Sequence, residues 1–396
     1  MTSSKHWLLP DGVEEILPAE AHKLETLRRE LLDLYQTWGY ELVITPLIEF
    51  LDSLLVGTSQ DLDLHTFKIT DQISGRLMGI RADITPQAAR IDSSCLQRKS
   101  AVRLCYADHV LHTKPAGIMT SRVPLRIGAE LFGHAGVDCD IELISLMLET
   151  LSMAGITECQ VVLGHVGIFR SLLTEAQLGA DTESQLFAAV QRKAFDESDQ
   201  VIAEFVRDEA LRESLRHLTR LSGDEQVLEE AKSVFCGTES VQSELAELVA
   251  IGEGVKKCNP QVQLGFDLCE LRGYAYHTGI VFAAYTSNYG RAVAQGGRYD
   301  DIGEVFGRAR PASGFDSDLK TLMKLSNRKF MRTPGIQAPA GHSSGLMAAI
   351  KSLREQGETV IQQLTGEVPV GRDCKSMQCD RKLVPQNGEW VVVVID

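Results

Sequence analysis

Two strand-forming runs, Val102–His112 (VRLCYADHVLH) and Leu125–Phe132 (LRIGAELF), flank a segment, Thr113–Pro124, too rich in turn formers to continue either one. The arrangement predicts two antiparallel strands joined by a long hairpin loop. A second pair repeats it. Tyr274–Ala284 and Arg291–Gln295 are separated by the turn Thr286–Gly290, which predicts another antiparallel hairpin. An antiparallel sheet with helices on one side offers its other side as a binding floor, so the expected class is α+β.

The rest of the chain fits around that sheet. In Ala19–Trp38, Leu24, Leu27, Leu31, Leu34 and Trp38 recur at helical spacing, with Pro18 suited to the start and Gly39 to the end. Tyr40–Phe50 reads as a strand, kept to an edge or interface by Pro46. A polar turn is expected around Asp71 and Gly75, then a short strand and a helix opening near Thr85-Pro86. Asp138–Ala154 reads as a helix ended by Gly155, Cys159–Leu163 and Val262–Leu268 as strands, and Gly314–Ser326 as a helix. Residues 171–257 read as a helical insertion, with capping-box patterns at Thr182…Gln185 and Ser222…Glu225. Beyond Pro334, Ile336–Ala338, Ser343–Gln356 and Glu358–Leu364 alternate strand, helix and strand. Arg381–Val384 and Trp390–Ile395 flank Asn387-Gly388, a hairpin turn. The expected domains are a core over 1–325, carrying the insertion, and a small α/β module over 326–396.

Composition limits the function. A net charge of −14 counts against a large nucleic-acid footprint, which needs a basic face. The nine cysteines are scattered without a second close pair to complete a four-ligand site, so they read as reduced thiols and no metal is expected. No stretch resembles a signal sequence or reaches membrane-spanning length, which predicts a cytoplasmic chain with no membrane contact.

Taken every second residue, Leu271–Ala283 puts Arg272, Tyr274, Tyr276, Thr278, Ile280 and Phe282 on one face, with mostly small residues and His277 on the other. Arginine can clamp a carboxylate through two parallel hydrogen bonds, and tyrosine supplies an apolar wall with a polar tip. Asp83, Thr85 and Glu130 offer acceptors for an amine. The set suits an amino-acid zwitterion; spacing alone fits equally an aromatic strand packed on a core with its arginine reaching outward. Gly296–Asp300 (GGRYD) lacks the endings of phosphate-binding loops and reads as a tight turn, and Asp316 with Asp318 as a solvated helix start rather than a metal pair.

Several stretches in order carry a resemblance to the class II aminoacyl-tRNA synthetases, specifically histidyl-tRNA synthetase, over roughly the first 325 residues. They are WLLPDGVEEILP, YELVITPLIEF (motif 1), GIRADITPQAAR, VRLCYADHVLHTKPAGIMTSRVPLRIGAELFG (motif 2), LRGYAYHTGIVF, and AQGGRYDDIGEVFG with PASGFDSDLKTL (towards motif 3). The resemblance implies a class II synthetase-like antiparallel sheet with flanking helices. It also implies an inherited histidine pocket at Asp83, Thr85, Arg126, Glu130, Arg272, Tyr274 and Tyr276. Two departures stand out. The motif 2 arginine that holds the ATP α-phosphate falls at His112, and the motif 3 arginine on the γ-phosphate falls at Thr321. Ala275, His277 and Arg126 also replace the family's Asp, Tyr and Gln, and the C-terminal module is shorter than an anticodon-binding domain.

That combination is similar to the regulatory subunits of short-form ATP phosphoribosyltransferase, which share RGYxYHTGxVFAAY and a CDRxLV-plus-hairpin ending. This second resemblance implies a chain without catalytic residues or cofactor, and a dimer through motif 1 within a larger hetero-oligomer. The implied partner is the short catalytic subunit at the first step of histidine biosynthesis, with histidine as feedback inhibitor and no role for tRNA. The alternatives are a histidine–tRNA ligase and a free-standing histidine sensor.

Overall fold

The computed structural model describes residues 8–55, 60–115, 117, 120–271, 273–274, 276–366 and 379–395. The chain divides between Arg328 and Lys329 into two compact units. In the first, nine strands among the described residues form one sheet. Their order is Glu41–Leu42, Val102–His109, Leu125–Phe132, Ala312–Asp318, Tyr289–Arg298, Ile280–Thr286, Gln160–His165, Gln263–Asp267 and Ser222–Gly223. The five neighbours from Val102–His109 to Ile280–Thr286 pair antiparallel, including both expected hairpins. This is an α+β architecture.

The register explains how the sheet makes a floor. Residues opposite one another on a ladder share a face. One row runs Tyr106, Gly128, Asp316, Gln295, Ala283; the next runs Leu104, Glu130, Gly314, Gly297, Val281. The reverse face carries Ile127, Ala129, Leu131 and Phe315, and the helices Pro18–Thr37 and Asp138–Met153 lie on that side, burying Leu27, Leu31, Tyr35, Leu143 and Met147. Tyr35 meets Phe315 edge-on, with ring centroids 6.2 Å apart. Each such buried side chain contributes about 1.5–3 kcal/mol.

The first long helix starts at Pro18, and Gly39, at φ +82°, ends it after Trp38. Beyond it the expected Tyr40–Phe50 strand splits. Glu41–Leu42 joins the large sheet parallel to Leu104–Cys105, while Ile48–Phe50 joins a separate three-stranded sheet with Leu77–Ile80 and Phe67–Thr70. Pro46, which has no N–H to give a ladder, lies in the break. The buried Arg81 guanidinium follows that small sheet. It donates to the Thr45 carbonyl (2.8 Å) and hydroxyl (2.6 Å) and to the His109 carbonyl (2.8 Å), and pairs with Asp108 (2.8 Å). This fixes the turn that carries Asp83 and Thr85.

Other expectations change. Gly314–Ser326 is a strand, Ala312–Asp318, followed by a helix, Leu319–Leu325. The strand forms because ladders are supplied from both sides, by Leu125–Phe132 and Tyr289–Arg298. Gly296–Arg298 lies within a strand and not in a turn, and Arg298 is buried against Asp140. Neither capping box forms. Thr182 sits inside the helix Ala180–Gln191, and Ser222 pairs with Asp267 in a strand, leaving the Asp224 carboxylate to accept from Gln226 N (3.0 Å). The insertion is otherwise helical, from Val166–Ala176 to Glu239–Cys258.

The second unit has strands in the order Val360–Gln362, Gly335–Ala338, Cys379–Gln386, Glu389–Val394, with the helix Ser344–Glu355. Ile336, Ala338, Leu346, Ile350, Val360 and Leu383 form its core. The expected turn at Asn387-Gly388 joins the last two strands, with both residues at positive φ. No helix among the described residues is long and apolar enough to cross a membrane.

Candidate functional site

The central strands, the Asp83–Thr85 turn and the segment 270–277 enclose a cavity of about 220 Å³. Asp83, Thr85, Arg126, Glu130 and Tyr276 all line it, although they come from three separate stretches of chain. Arg272 lies outside the described residues. Tyr274 faces elsewhere: its ring packs 5.9 Å from Phe169 and 5.1 Å from Phe187, with the Arg170 guanidinium 5.1 Å from its centroid.

Tyr274 departs from the expected strand face because the described residues around it, Leu271, Gly273, Tyr276 and His277, are not in a strand. Backbone hydrogen bonds close turns from Tyr274 N to Leu271 O (3.1 Å), Tyr276 N to Gly273 O (2.9 Å) and His277 N to Gly273 O (2.8 Å). Gly273 sits at φ +66°, where a side chain is strained, and a Cβ there would run into the His277 ring. The strand starts only at Ile280. The turn therefore brings consecutive residues, Tyr276 and His277, to the same pocket, with ring centroids 4.1 Å apart and planes tilted by 33°.

Glu130 is the most enclosed acid of the pocket, at 1% exposure. Thr85 Oγ1 (2.8 Å) and the Tyr106 hydroxyl (3.0 Å) donate to its Oε1, and the Tyr299 hydroxyl donates to Oε2. Burial pushes its pKa up to about 8 against the pull of those donors, which favours the protonated acid at neutral pH. Gly314, directly opposite, leaves the room it needs: a Cβ there would fall on the Glu130 carboxylate. Asp83 Oδ1 accepts from Ile84 N (2.6 Å) and Thr85 N (3.2 Å). Arg126 Nη1 is 3.3 Å from Asp316 Oδ1. Burial raises the Asp316 pKa to about 6, with Arg126 opposing. Asp83, Glu270 and Asp316 against Arg126 make the described lining acidic even with Glu130 protonated, which suits an ammonium group.

His277, which stands in place of the family's Tyr, also lines the pocket, as do Glu270, Gln295, Tyr299 and Asp316, which were not singled out for it from sequence. For Asp316 a signal existed. Gly314, Asp316 and Asp318 alternate with Phe315 and Ser317, a strand period read instead as a helix start.

A second cleft, of about 1000 Å³, shares Arg126, Glu270, Gln295 and Asp316 with the pocket and contains His112 and Thr321. Neither supplies a fixed cation. His112 Nε2 lies 2.9 Å from the Ala82 carbonyl, and burial lowers its pKa, favouring the neutral ring. Thr321 donates to Asp318 (2.9 Å), which also caps the Leu319–Leu325 helix through Lys320 N (3.2 Å). The nearby lysines are paired: Lys320 is 3.6 Å and Lys324 3.9 Å from Glu14. Neither cavity gathers a metal-ligand trio among the described residues; the one such cluster is His165, Glu244 and Glu247.

The profile of the family described as "Histidyl-tRNA synthetase" matches residues 12–322, and that of the "ATP phosphoribosyltransferase subunit HisZ C-terminal domain" matches 333–393. Over 395 residues, 99% of both chains, the sequence is 52% identical to the ATP phosphoribosyltransferase regulatory subunit of Thioalkalivibrio sulfidiphilus. The chain belongs to the ATP phosphoribosyltransferase regulatory subunit family. A regulatory subunit from Chromohalobacter salexigens is 51% identical over 393 residues, again 99% of each chain. Among solved structures, an "ATP phosphoribosyltransferase regulatory subunit/histidyl-tRNA synthetase" from Bacillus halodurans superposes with a TM-score of 0.83 at 26% identity, covering 94% of this chain and 97% of that one. Histidyl-tRNA synthetase from Nostoc sp. shares the fold at 16% identity, with a TM-score of 0.78 over 98% and 97% of the two chains. The regulatory-subunit family thus uses a synthetase-like sheet, as the sequence resemblance implies.

Proposed function

We propose that this chain is a non-catalytic subunit that binds and activates the short catalytic subunit of ATP phosphoribosyltransferase, and that its acidic pocket takes histidine as the feedback signal. The observation that carries the non-catalytic reading is the larger cleft. An adenylating site needs preorganised cations at the developing phosphate charge, and losing one such contact typically costs about 100- to 1000-fold in rate. His112 is held to a carbonyl and Thr321 to a helix cap, with Asp316 and Asp318 beside them. The neighbouring pocket needs no such cations to bind an amino acid. Glu130, Asp83 and Thr85 suit its ammonium, and the Tyr276–His277 stack offers a flat wall for its ring.

Histidine can inhibit only if it favours the less active state of the assembly through differential contacts. The test adds this chain to the purified short catalytic subunit and follows formation of phosphoribosyl-ATP from ATP and phosphoribosyl pyrophosphate. The expected result is co-elution and a rate rise of at least ~10-fold, equivalent to about 1.4 kcal/mol off the barrier. Unchanged activity without co-elution rejects the reading. Histidine-dependent ATP–pyrophosphate exchange would favour a histidine–tRNA ligase instead. Histidine binding with neither co-elution nor any rise in phosphoribosyl-ATP formation would favour a free-standing sensor.

Self-association accompanies this reading. The segment after the first long helix leaves Leu42, Ile44, Leu47 and Ile48 facing solvent in the single chain, with Ile44 81% exposed. A cluster of this kind marks an association surface. Ile44→Asp is expected to reduce the particle mass in sedimentation to that of one 43.6 kDa chain. An unchanged mass would place the contact elsewhere.

A further inference from the structure

His165 ends the Gln160–His165 strand and caps the helix Val166–Ala176. Its side chain is 2% exposed, and neither ring nitrogen has a hydrogen-bond partner. Buried polar groups are almost always paired, so an unpartnered imidazole points to something that completes it.

Two carboxylates face it. Glu244 and Glu247 stand one turn apart on the helix Glu239–Cys258 and so share a face. Glu244 Oε2 is 2.9 Å from Nδ1, off the hydrogen-bonding direction, and Glu247 Oε2 is 4.0 Å from Nε2. One ligand atom from each of the three residues lies within 4.8 Å of the others. Gly167 leaves space for the approach, since a Cβ there would sit 2.7 Å from the Glu244 carboxyl carbon. Glu244 and Glu247 keep 28% and 32% side-chain exposure, so an ion has a way in and water can complete its shell. The nearby Arg298 is already paired with Asp140.

We propose that His165, Glu244 and Glu247 bind a divalent transition-metal ion of the zinc class, joining the last insertion helix to the sheet. Two glutamates balance a divalent charge beside a neutral imidazole. One nitrogen with two oxygens suits zinc over magnesium or calcium, which prefer all-oxygen shells. The site departs from the expectation of no metal. Its ligands come from distant parts of the chain, and its only local trace is an acidic pair three residues apart.

The full-length chain, stripped with a chelator, is titrated with zinc by calorimetry and then with cobalt as a spectroscopic probe. One ion per chain is expected, with a cobalt spectrum of nitrogen and oxygen ligands and a zinc-dependent rise in thermal midpoint. Glu247→Gln and Glu244→Gln, at partly exposed positions, are expected to fold and to bind zinc at least ~10-fold more weakly, the lower end of metal-site ligand effects. His165→Ala tests the buried ligand. Absence of zinc binding by the wild-type chain overturns the proposal and leaves a histidine ring held between two carboxylates. Undiminished binding in both glutamine variants, or a thiolate spectrum from the exposed Cys95, Cys236 or Cys258, also overturns it.

Discussion

Gly314→Ala is expected to weaken histidine binding by about 10- to 100-fold in calorimetry. Gly314 lies opposite Glu130 on the adjoining strand. An added methyl would fall on the carboxylate and come 2.8 Å from the Tyr299 hydroxyl. Glu130 has little freedom to retreat, because Thr85, Tyr106 and Tyr299 hold both of its oxygens. Overpacking of this kind costs about 1–3 kcal/mol, and roughly 1.4 kcal/mol is tenfold in affinity. Gly179→Ala, where a Cβ meets nothing within 4 Å, serves as the control. Equal histidine affinity in the two variants would mean that the ligand sits away from this floor.

Glu130→Gln is expected to make the chain more stable at pH 8 and to flatten its stability profile between pH 5 and 8. Burial raises the Glu130 pKa from 4.5 to about 8. Between those values the folded chain holds a proton that the unfolded chain has released. Stability therefore falls as pH rises through the window, and the cost of the buried anion is complete only above about pH 8. At about 1.4 kcal/mol per pKa unit the full cost is roughly 4–5 kcal/mol. Glutamine keeps the shape and cannot ionise. Thermal denaturation across this pH range checks the effect, and an unchanged slope in the variant would show that Glu130 does not titrate there.

The same residue predicts how binding responds to pH. An ammonium stabilises the ionised carboxylate, so histidine binding at pH 7 should release a proton and tighten towards pH 8. A hydrogen bond to a charged partner is worth about 1.5–3 kcal/mol, so the glutamine variant should bind roughly 10- to 150-fold more weakly at pH 8. Its binding should also lose the proton release, measurable from the buffer dependence of the heat.

The sequence made the strand pair Val102–His109 and Leu125–Phe132 legible because continuous apolar runs and a turn-rich connection leave little other choice. The Asn387-Gly388 hairpin was legible because its turn chemistry is local. The segment 271–279 was not, since its alternation mimics a strand while Gly273 folds it into a turn. Gly314–Asp318 was misread for the opposite reason. It is a strand by virtue of its neighbours on both sides, which no local pattern displays. Asp83, Thr85 and Glu130 came from their chemistry as amine acceptors together with the resemblance, and the structure adds the hydroxyl cage that unites Thr85 with Glu130. Glu270 became visible as a lining residue only once the fold placed it.

The floor beneath the pocket is partly built of residues without side chains. Gly128, Gly314 and Gly297 lie on adjacent strands, and packing against the long helices is carried by the other face. These glycines give the floor shape without chemical preference. Selectivity resides in the side chains between and around them, among them Arg126, Glu130, Tyr276, His277 and Asp316. Those positions can be exchanged with little disturbance to the hydrophobic core. A sheet of this design is a reusable platform: one lineage can trade a chemical task for a sensing task by rewriting the rim, while the scaffold beneath keeps its geometry.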